Sequence, residues 1–166
     1  MPDEDRTFFS VSCSVDALPI GRLTRQHRDG LSYWNERRGS HAAPRRVDIN
    51  PIEIPLVLPN VAIWSIDGAS DYVCRLAGTE IDRSMGCSLT GVALGSIGCT
   101  LLEEARREFD AVRDAAMLSY AERTMAWLGK PHSYYRHLLV PLTNEHRAVH
   151  MLLSILTFHN AAERYG

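Results

Sequence analysis

The stretch VCRLAGTEIDRSMGCSLTG, residues 73–91, passes from a strand-like segment into a short polar helix that lies between glycines. Gly78 ends the strand, and we expect a positive φ there. Thr79 and Asp82 have the spacing of a helix capping box, and Gly86 suits the C-terminus of that helix. The stretch therefore predicts a chain that leaves a sheet and folds a small helix back over it.

Strand patterns lie on both sides of this stretch. VAIWSID and DYVCRLA, joined by a Gly-Ala-Ser turn, predict an antiparallel hairpin, and SYAERTMAWL, HSYYRHLLVPL and AVHMLLSILTF predict a later meander. The last run is apolar almost throughout, as in a central strand covered on both faces. Between hairpin and meander, Thr100 and Glu103 have capping-box spacing. The helix that follows has one apolar face, formed by Leu102, Ala105, Phe109, Val112 and Ala116.

The segment before the hairpin has weaker patterns. Residues 1–20 show little periodicity and predict a loose or partly docked arm. Asp29 is placed to cap a short helix over residues 30–38, with Leu31 and Trp34 on one side. Asn50 before Pro51 predicts a further one or two helical turns. This part of the chain is therefore predicted to be helical and only partly covered.

Composition limits the classes of function. The chain has 166 residues and a net charge of −2, which fits one globular domain. Residues 21–46 carry seven arginines against two acidic residues, which we interpret as a solvated face rather than a nucleic-acid site. Without a signal-peptide pattern or an apolar run of membrane-spanning length, the sequence predicts a cytoplasmic protein. Its four cysteines form no C-x-x-C pair and are expected to be free thiols.

Four segments, in this order along the chain, resemble the short bacterial PAS domains: YWNERRG, PRRVDINPIEIPLVLPNVAIWSID, CRLAGTEIDRSMGCSLTG and LLVPL. The resemblance covers about residues 30–158. It implies an α+β fold with a five-stranded antiparallel sheet of order 2-1-5-4-3, small helices on one face around a ligand pocket, and an N-terminal helical lead-in. We accordingly divide the chain into an N-terminal arm (1–28), a helical lead-in (29–59) and a PAS core (60–160).

Six side chains are candidates for the pocket wall: Trp64, Tyr72, Arg75, Tyr135, His137 and Met151. The aromatic residues and the methionine have an alternative role as ordinary core. Arg75 interrupts an otherwise apolar strand, and a buried arginine needs a partner. Its two alternatives are an ion pair within the chain, with Asp48, and an anchor for an anionic ligand.

No pattern in the sequence predicts catalysis or a metal site. The i,i+4 pair His146 and His150 spans a turn and a strand start and has no third ligand. Of His132 and His137, the latter is the better candidate for an axial haem ligand, but no haem motif surrounds it. Cys87 lacks the asparagine-containing motif of flavin photochemistry. We predict no cofactor, with haem or another small ligand as the alternative.

The resemblance implies signalling rather than metabolism. The prediction is a single-domain PAS sensor or adaptor in bacterial signal transduction, which binds a small molecule, a protein partner or both and forms a homodimer, without contacting nucleic acid or membrane. The alternative is a ligand-free dimerisation module whose pocket is filled by its own side chains. The sequence leaves open the ligand, the downstream partner and the dimerising surface.

Overall fold

One antiparallel sheet organises the molecule. The structure, a computed structural model, describes residues 5–68 and 71–160. The strands are β1 (Thr7–Cys13), β2 (Val61–Asp67), β3 (Asp71–Ala77), β4 (Leu118–Met125), β5 (Lys130–Thr143) and β6 (Val149–Asn160). They lie in the order β1-β4-β5-β6-β2-β3. Strands β2 to β6 thus have the predicted order, read from the opposite edge, and β1 is an added sixth strand.

Helices cover both faces of the sheet. The long helices are α1 (Arg25–Arg38) and α3 (Leu102–Ala115), and the short helix α2 (Thr79–Met85) follows β3. The inner face, with Trp64 and Leu152, packs against α2, α3 and the segment between them. The outer face packs against α1 and the 3-10 turns of residues 46–60. The sheet therefore separates two apolar cores.

Strand β6 lies at the centre of the sheet, between β5 and β2. Leu152 belongs to the inner core, whereas Leu153 and Ile155 belong to the outer core. This two-sided burial confirms the prediction from its nearly continuous apolar run. Of the predicted hairpin turn, residues 69 and 70 lie outside the described residues.

Helix α1 begins earlier than predicted. Its N-cap is Thr24, whose Oγ1 accepts a hydrogen bond from the backbone N–H of His27 at 3.3 Å. In return, Nδ1 of His27 accepts from the backbone N–H of Thr24 at 3.2 Å. The predicted start at Asp29 is therefore wrong. Thr24 and His27 form a capping box in which a histidine takes the place of the usual Glu or Gln, so the sequence pattern did not indicate it. The predicted Asn50 cap is confirmed, since its Oδ1 accepts from Ile52 N–H at 3.3 Å.

Gly78 precedes α2 for a different reason from the one predicted. Its φ is −68°, so the expected positive φ is wrong. A Cβ at this position would lie 2.3 Å from the carbonyl oxygen of Pro59 and 2.4 Å from that of Leu58. Glycine is therefore required by the close approach of backbone to backbone. At the other end of α2, Gly86 has a φ of 75°, which confirms the predicted helix stop.

Neither predicted capping box on the inner face forms. Asp82 Oδ1 instead accepts from the backbone N–H of Leu89 at 3.0 Å and so fixes the loop after α2. Thr100 Oγ1 donates to Asp5 Oδ2 at 2.6 Å, and α3 begins at Leu102 without a side-chain cap. Both pairs have capping-box spacing, but in each pair one side chain makes a different hydrogen bond. Asp82 bonds to the loop after α2, and Thr100 bonds to the N-terminal segment.

The N-terminal segment is more ordered than predicted. Residues 7–13 form β1, which pairs with β4 so that Ser10 lies opposite Ala121. Short 3-10 turns at residues 15–17 and 20–22 then lead to α1. No helix in the described residues is long and apolar enough to cross a membrane.

Candidate functional site

A cavity of about 70 Å³ lies between the inner face of the sheet and the helices that cover it. Its helical side comes from α2, α3 and the loop of residues 86–101, which the Asp82 and Leu89 hydrogen bond ties to α2. Its floor comes from β2, β4, β5 and β6. The lining residues are Trp64, Ile81, Met85, Leu89, Leu94, Ile97, Cys99, Leu102, Ala105, Phe109, Arg123, Trp127, Tyr135, His137, Leu156 and Phe158.

Phe109 of α3 is the aromatic centre of the inner core. Only 2% of its surface is exposed, and its ring centroid lies 5.3 Å from that of Trp64 and 5.0 Å from that of Tyr72, both edge-on. The ring of His137 lies 6.0 Å away. Such edge-on contacts add to the burial of the rings themselves. They fix the apolar wall of the cavity where α3 crosses β2 and β5.

On the β2 and β6 side of the cavity, three polar side chains are hydrogen-bonded to one another. The indole Nε1 of Trp64 donates to Ser154 Oγ at 2.9 Å, and Ser154 Oγ lies 2.6 Å from His137 Nε2. Ser154 Oγ thus accepts a hydrogen bond from the indole and is hydrogen-bonded to the imidazole as well. Burial lowers the pKa of His137 to about 3, so this histidine is neutral.

A buried ion pair lies on the β4 side of the cavity. Arg123 of β4 has 1% of its side chain exposed, and its Nη2 lies 2.6 Å from Oε1 of Glu108 on α3. Arg123 Nε donates to Thr7 Oγ1 of β1 at 3.1 Å, and Ser10 Oγ of the same strand donates to Glu108 Oε1 at 2.6 Å. The pair thus connects α3, β4 and β1 behind the cavity wall.

Two buried donors beside this pair lack partners. Nη1 of Arg123 and Nε1 of Trp127 make no hydrogen bond to any of the residues that the structure describes. Tyr135 lies opposite Arg123 on β5, and burial raises the pKa of its phenol, which stays protonated. Buried donors without acceptors are costly in a folded protein. Both donors have almost no accessible surface, so they lie behind the surface of the cavity rather than facing its space.

Three of the six predicted pocket residues line the cavity: Trp64, Tyr135 and His137. Tyr72 is buried in the same core, where it packs on Phe109, but it is not part of the wall, and its hydroxyl donates to Asp110 Oδ1 at 2.5 Å. Met151 packs on the outer core, because it has the opposite strand parity to Leu152. Ligand contact by these six residues stays a prediction.

Both predicted roles of Arg75 are wrong. Its side chain lies outside the cavity and is exposed, and its Nε donates to Ser65 Oγ at 2.8 Å on the neighbouring strand. Asp48 pairs with Arg45 at 3.0 Å instead. Strand β3 is an edge strand, so a side chain there can reach water without a buried partner.

Sequence analysis did not identify Glu108 and Arg123, the charged residues of the site. Glu108 interrupts the apolar face of α3 directly before Phe109, and Arg123 interrupts β4. Each alone resembles an ordinary solvated charge. Their common position on buried faces was the available signal, since two opposite charges at buried positions are satisfied best by pairing.

The other histidines and the cysteines have varied surroundings. His146 is exposed, with its Nε2 at 3.5 Å from Glu145. Within residues 5–68 and 71–160, no three His, Cys, Asp or Glu side chains are close enough to hold a metal ion. Cys74 is buried, Cys87 is exposed, and Cys99 lines the cavity, where burial raises the pKa of its thiol.

Comparison with family models identifies the fold. The model described as PAS domain matches residues 24–157, which span α1, the sheet from β2 to β6 and the helices around the cavity. The chain belongs to the PAS domain family. No curated protein matches it. Strand β1 lies before the matched region and is an addition to the family core.

Proposed function

We propose that this PAS domain is a sensor or adaptor in bacterial signal transduction that binds a small molecule in the inner cavity and passes the change to a protein partner. PAS domains serve generally as signalling sensors or interaction modules. The observation that carries the proposal is the cavity itself, with its mainly apolar wall and a few polar groups on one side. A cytoplasmic location stays a prediction from the sequence.

The ion pair supports the second half of the proposal. Arg123 contributes to the cavity wall and is bonded at the same time to α3 and to β1. A ligand that contacts Arg123 therefore also affects its bonds to Glu108 of α3 and to Thr7 of β1. A ligand shifts a conformational equilibrium only through differential contacts of this kind.

The dimensions of the site disfavour haem. A cavity of about 70 Å³ is smaller than the ~150 Å³ that accommodates benzene in a protein core. Nε2 of His137, the atom needed for axial ligation, is engaged with Ser154 Oγ. We therefore propose a small organic ligand rather than a macrocycle.

Native mass spectrometry of the purified protein and xenon titration followed by NMR test this proposal together. We expect a small bound molecule in the first experiment, or shifts of Leu89, Leu102 and Leu156 methyl signals in the second. Ala105→Leu fills the cavity from α3 and should abolish both signals. Ala115→Leu, on the exposed end of the same helix, is the matched control. Wild-type protein that gives neither signal would contradict a binding cavity.

A ligand-free interaction module is the second candidate, and one surface favours it. Val47, Ile52 and Leu56 of the lead-in are 78%, 74% and 73% exposed. They are three of the most exposed large apolar side chains in the described residues, and we call them the lead-in patch. Exposed apolar side chains concentrated in one segment are typical of an interaction surface. In this candidate, the protein forms a homodimer through the lead-in patch.

A further inference from the structure

We propose that the inner cavity binds a small uncharged molecule with one hydroxyl group on a short apolar body, and that Nδ1 of His137 forms the hydrogen bond with that hydroxyl. The ligand class rests on the proposed function, because it concerns the same cavity. It follows from the surroundings of the His137 imidazole, from the charges around the cavity and from the size of the cavity.

His137 lies on the inner face, near the middle of the sheet. It belongs to β5, which has β4 on one side and β6 on the other. Only 7% of its surface is exposed, and its ring is part of the cavity wall. The neighbouring strands enclose it at the sides, and the ring of Phe109 lies 6.0 Å from it on the helix side. The exposed part of the side chain therefore faces the cavity.

The two ring nitrogens of His137 have different surroundings. Nε2 lies 2.6 Å from Ser154 Oγ. Nδ1 makes no hydrogen bond to any of residues 5–68 and 71–160, and in contrast to Nε1 of Trp127 it keeps accessible surface. An imidazole nitrogen without a partner inside a folded protein costs free energy. A ligand that hydrogen-bonds to Nδ1 removes this cost.

A hydroxyl group suits Nδ1 whichever nitrogen carries the imidazole proton. In a neutral imidazole one nitrogen donates and the other accepts. Ser154 Oγ accepts from Nε1 of Trp64 at 2.9 Å, and a serine hydroxyl can still serve Nε2 as donor or as acceptor. Nδ1 is accordingly an acceptor or a donor. A ligand hydroxyl bonds to it in both cases, whereas a carbonyl bonds to it in only one.

The charges around the cavity disfavour an ionic ligand. The charge of Arg123 is balanced by Glu108, whose Oε1 lies 2.6 Å from Nη2, and the same guanidinium is hydrogen-bonded to the phenol of Tyr135. Burial lowers the pKa of His137 to about 3, so the ring is neutral at pH 7. A carboxylate or an ammonium group would therefore be buried in this wall at a high cost, which a hydroxyl avoids.

The size of the cavity and its apolar wall define the rest of the ligand. The available space of about 70 Å³ is smaller than the ~150 Å³ that accommodates benzene. Ethanol matches this description. Propane has the same number of non-hydrogen atoms without the hydroxyl, and acetate is a charged molecule of similar size. Aliphatic and ring surface around the hydroxyl comes from Leu89, Leu102, Leu156 and Phe158.

Nitrogen NMR of the isotope-labelled full chain, titrated with ethanol, propane and acetate, tests the proposal. Ethanol should shift the Nδ1 signal of His137 by much more than propane does, while both should shift the methyl signals of Leu89. Acetate should shift neither. His27 is the internal control, because its Nδ1 bonds to Thr24 N–H at 3.2 Å and its Nε2 lies 3.0 Å from Ile155 O on the outer face.

The variant His137→Phe keeps a ring and removes both nitrogens. It should weaken ethanol binding by about tenfold relative to propane, since a neutral hydrogen bond contributes about this factor. Because the two probes are of equal size, their ratio cancels any change in cavity shape. His146→Phe, at an exposed histidine, is the matched control and should leave the ratio unchanged. Where His137→Phe does not fold, the nitrogen spectra of the wild type decide alone.

The outcomes separate the ligand class from the proposed function. Propane binding without an ethanol effect on Nδ1, or an unchanged ratio of ethanol to propane affinity in His137→Phe, overturns recognition by His137 and leaves the binding cavity standing. Tighter binding of acetate than of ethanol overturns the uncharged class. If neither xenon nor any of the three probes binds, the binding cavity and the ligand class are both wrong.

Discussion

Arg123 and His27 show how single residues hold the two faces of the sheet. Arg123 is buried on the inner face with Glu108 as its partner. His27 is buried on the outer face, where its Nε2 lies 3.0 Å from Ile155 O and 3.2 Å from Arg136 O. Because its Nδ1 accepts from Thr24 N–H, the imidazole proton is on Nε2 and is donated to these carbonyl oxygens. The neutral form of His27 is therefore built into the cap of α1.

The first prediction concerns the pH dependence of stability. Burial lowers the pKa of His27 from its ordinary value of 6.5 to about 4. Between pH 4 and pH 6.5, His27 is protonated in the unfolded chain and neutral in the folded protein. The stability that neutral His27 contributes is therefore complete above pH 6.5 and is lost as the pH falls towards 4. We expect His27→Asn to be less stable than wild type at pH 7, and the difference to shrink by roughly 3 kcal/mol at most as the pH falls to 4.5.

Denaturant unfolding at pH 7 and pH 4.5 measures this difference. His41→Asn, at an exposed position, is the control for a histidine replacement as such. A stability difference between His27→Asn and wild type that is the same at both pH values would contradict the buried neutral histidine.

The second prediction concerns Gly78. A methyl group there would meet backbone oxygens at 2.3 and 2.4 Å, and neither oxygen can move without displacing the 3-10 turn of residues 58–60. We expect Gly78→Ala to destabilise the fold by about 2 kcal/mol or more. Gly21→Ala is the matched control, because a Cβ there has no neighbour within 4 Å. Equal melting temperatures of the two variants would show that the approach of the backbones relaxes at little cost.

At the scale of elements, α1 shows what covers the outer face of the sheet. Trp34 is 1% exposed, and its Nε1 donates to Pro141 O of β5 at 2.9 Å. Leu31 of the same helix belongs to the outer core with Ile155 of β6. The apolar side of α1 is thus covered by its own chain.

The third prediction follows from this docking. Trp34→Ala should lower the free energy of unfolding by about 3–5 kcal/mol, because it leaves a cavity and an unpaired carbonyl under α1. The mass in solution should stay that of wild type. Ser32→Ala, on the exposed side of the same helix, should change neither property. Denaturant titration and light scattering measure both; a change in mass without loss of stability would place Trp34 in an interface between chains.

The elements differ in how much of them the sequence could predict. Strands β2 to β6 and α3 were predictable because each has a strong local period, and β6 also has an unbroken apolar run. Strand β1 was not, since its pairing partner lies in β4, far along the chain. Likewise, the Arg123 and Glu108 pair joins a strand to a helix through tertiary packing alone. Local sequence patterns do not indicate such contacts.

At the scale of the whole molecule, the two faces of the sheet have different roles. The inner face holds the cavity, and the outer face is closed by α1 and the lead-in. A dimer that used the outer sheet face would have to displace α1. The lead-in patch of Val47, Ile52 and Leu56 remains exposed and is the surface at which association is expected.

The fourth prediction is that association depends on this patch. If the protein forms the expected homodimer, light scattering across a concentration series should show the dimer mass for wild type. Ile52→Ser combined with Leu56→Ser should shift the protein towards monomer, since apolar anchors dominate interface energies. Ile20→Ser, at another exposed apolar residue outside the patch, is the control. Wild type that stays monomeric at the highest concentration would contradict the homodimer, and dimeric double variant would place the interface elsewhere.

The central position of β6 has a consequence for protein synthesis. The β2 and β3 hairpin and the β4 and β5 pair have no strand contact with each other until residues 149–160 are inserted between them. A ribosome adds roughly 5–20 residues per second, so the finished hairpin waits for seconds with an unpaired edge. The two parts become one sheet only when the last of its strands has been made. Nascent chains halted before residue 149 are therefore expected to expose strand edges to chaperones and to aggregation.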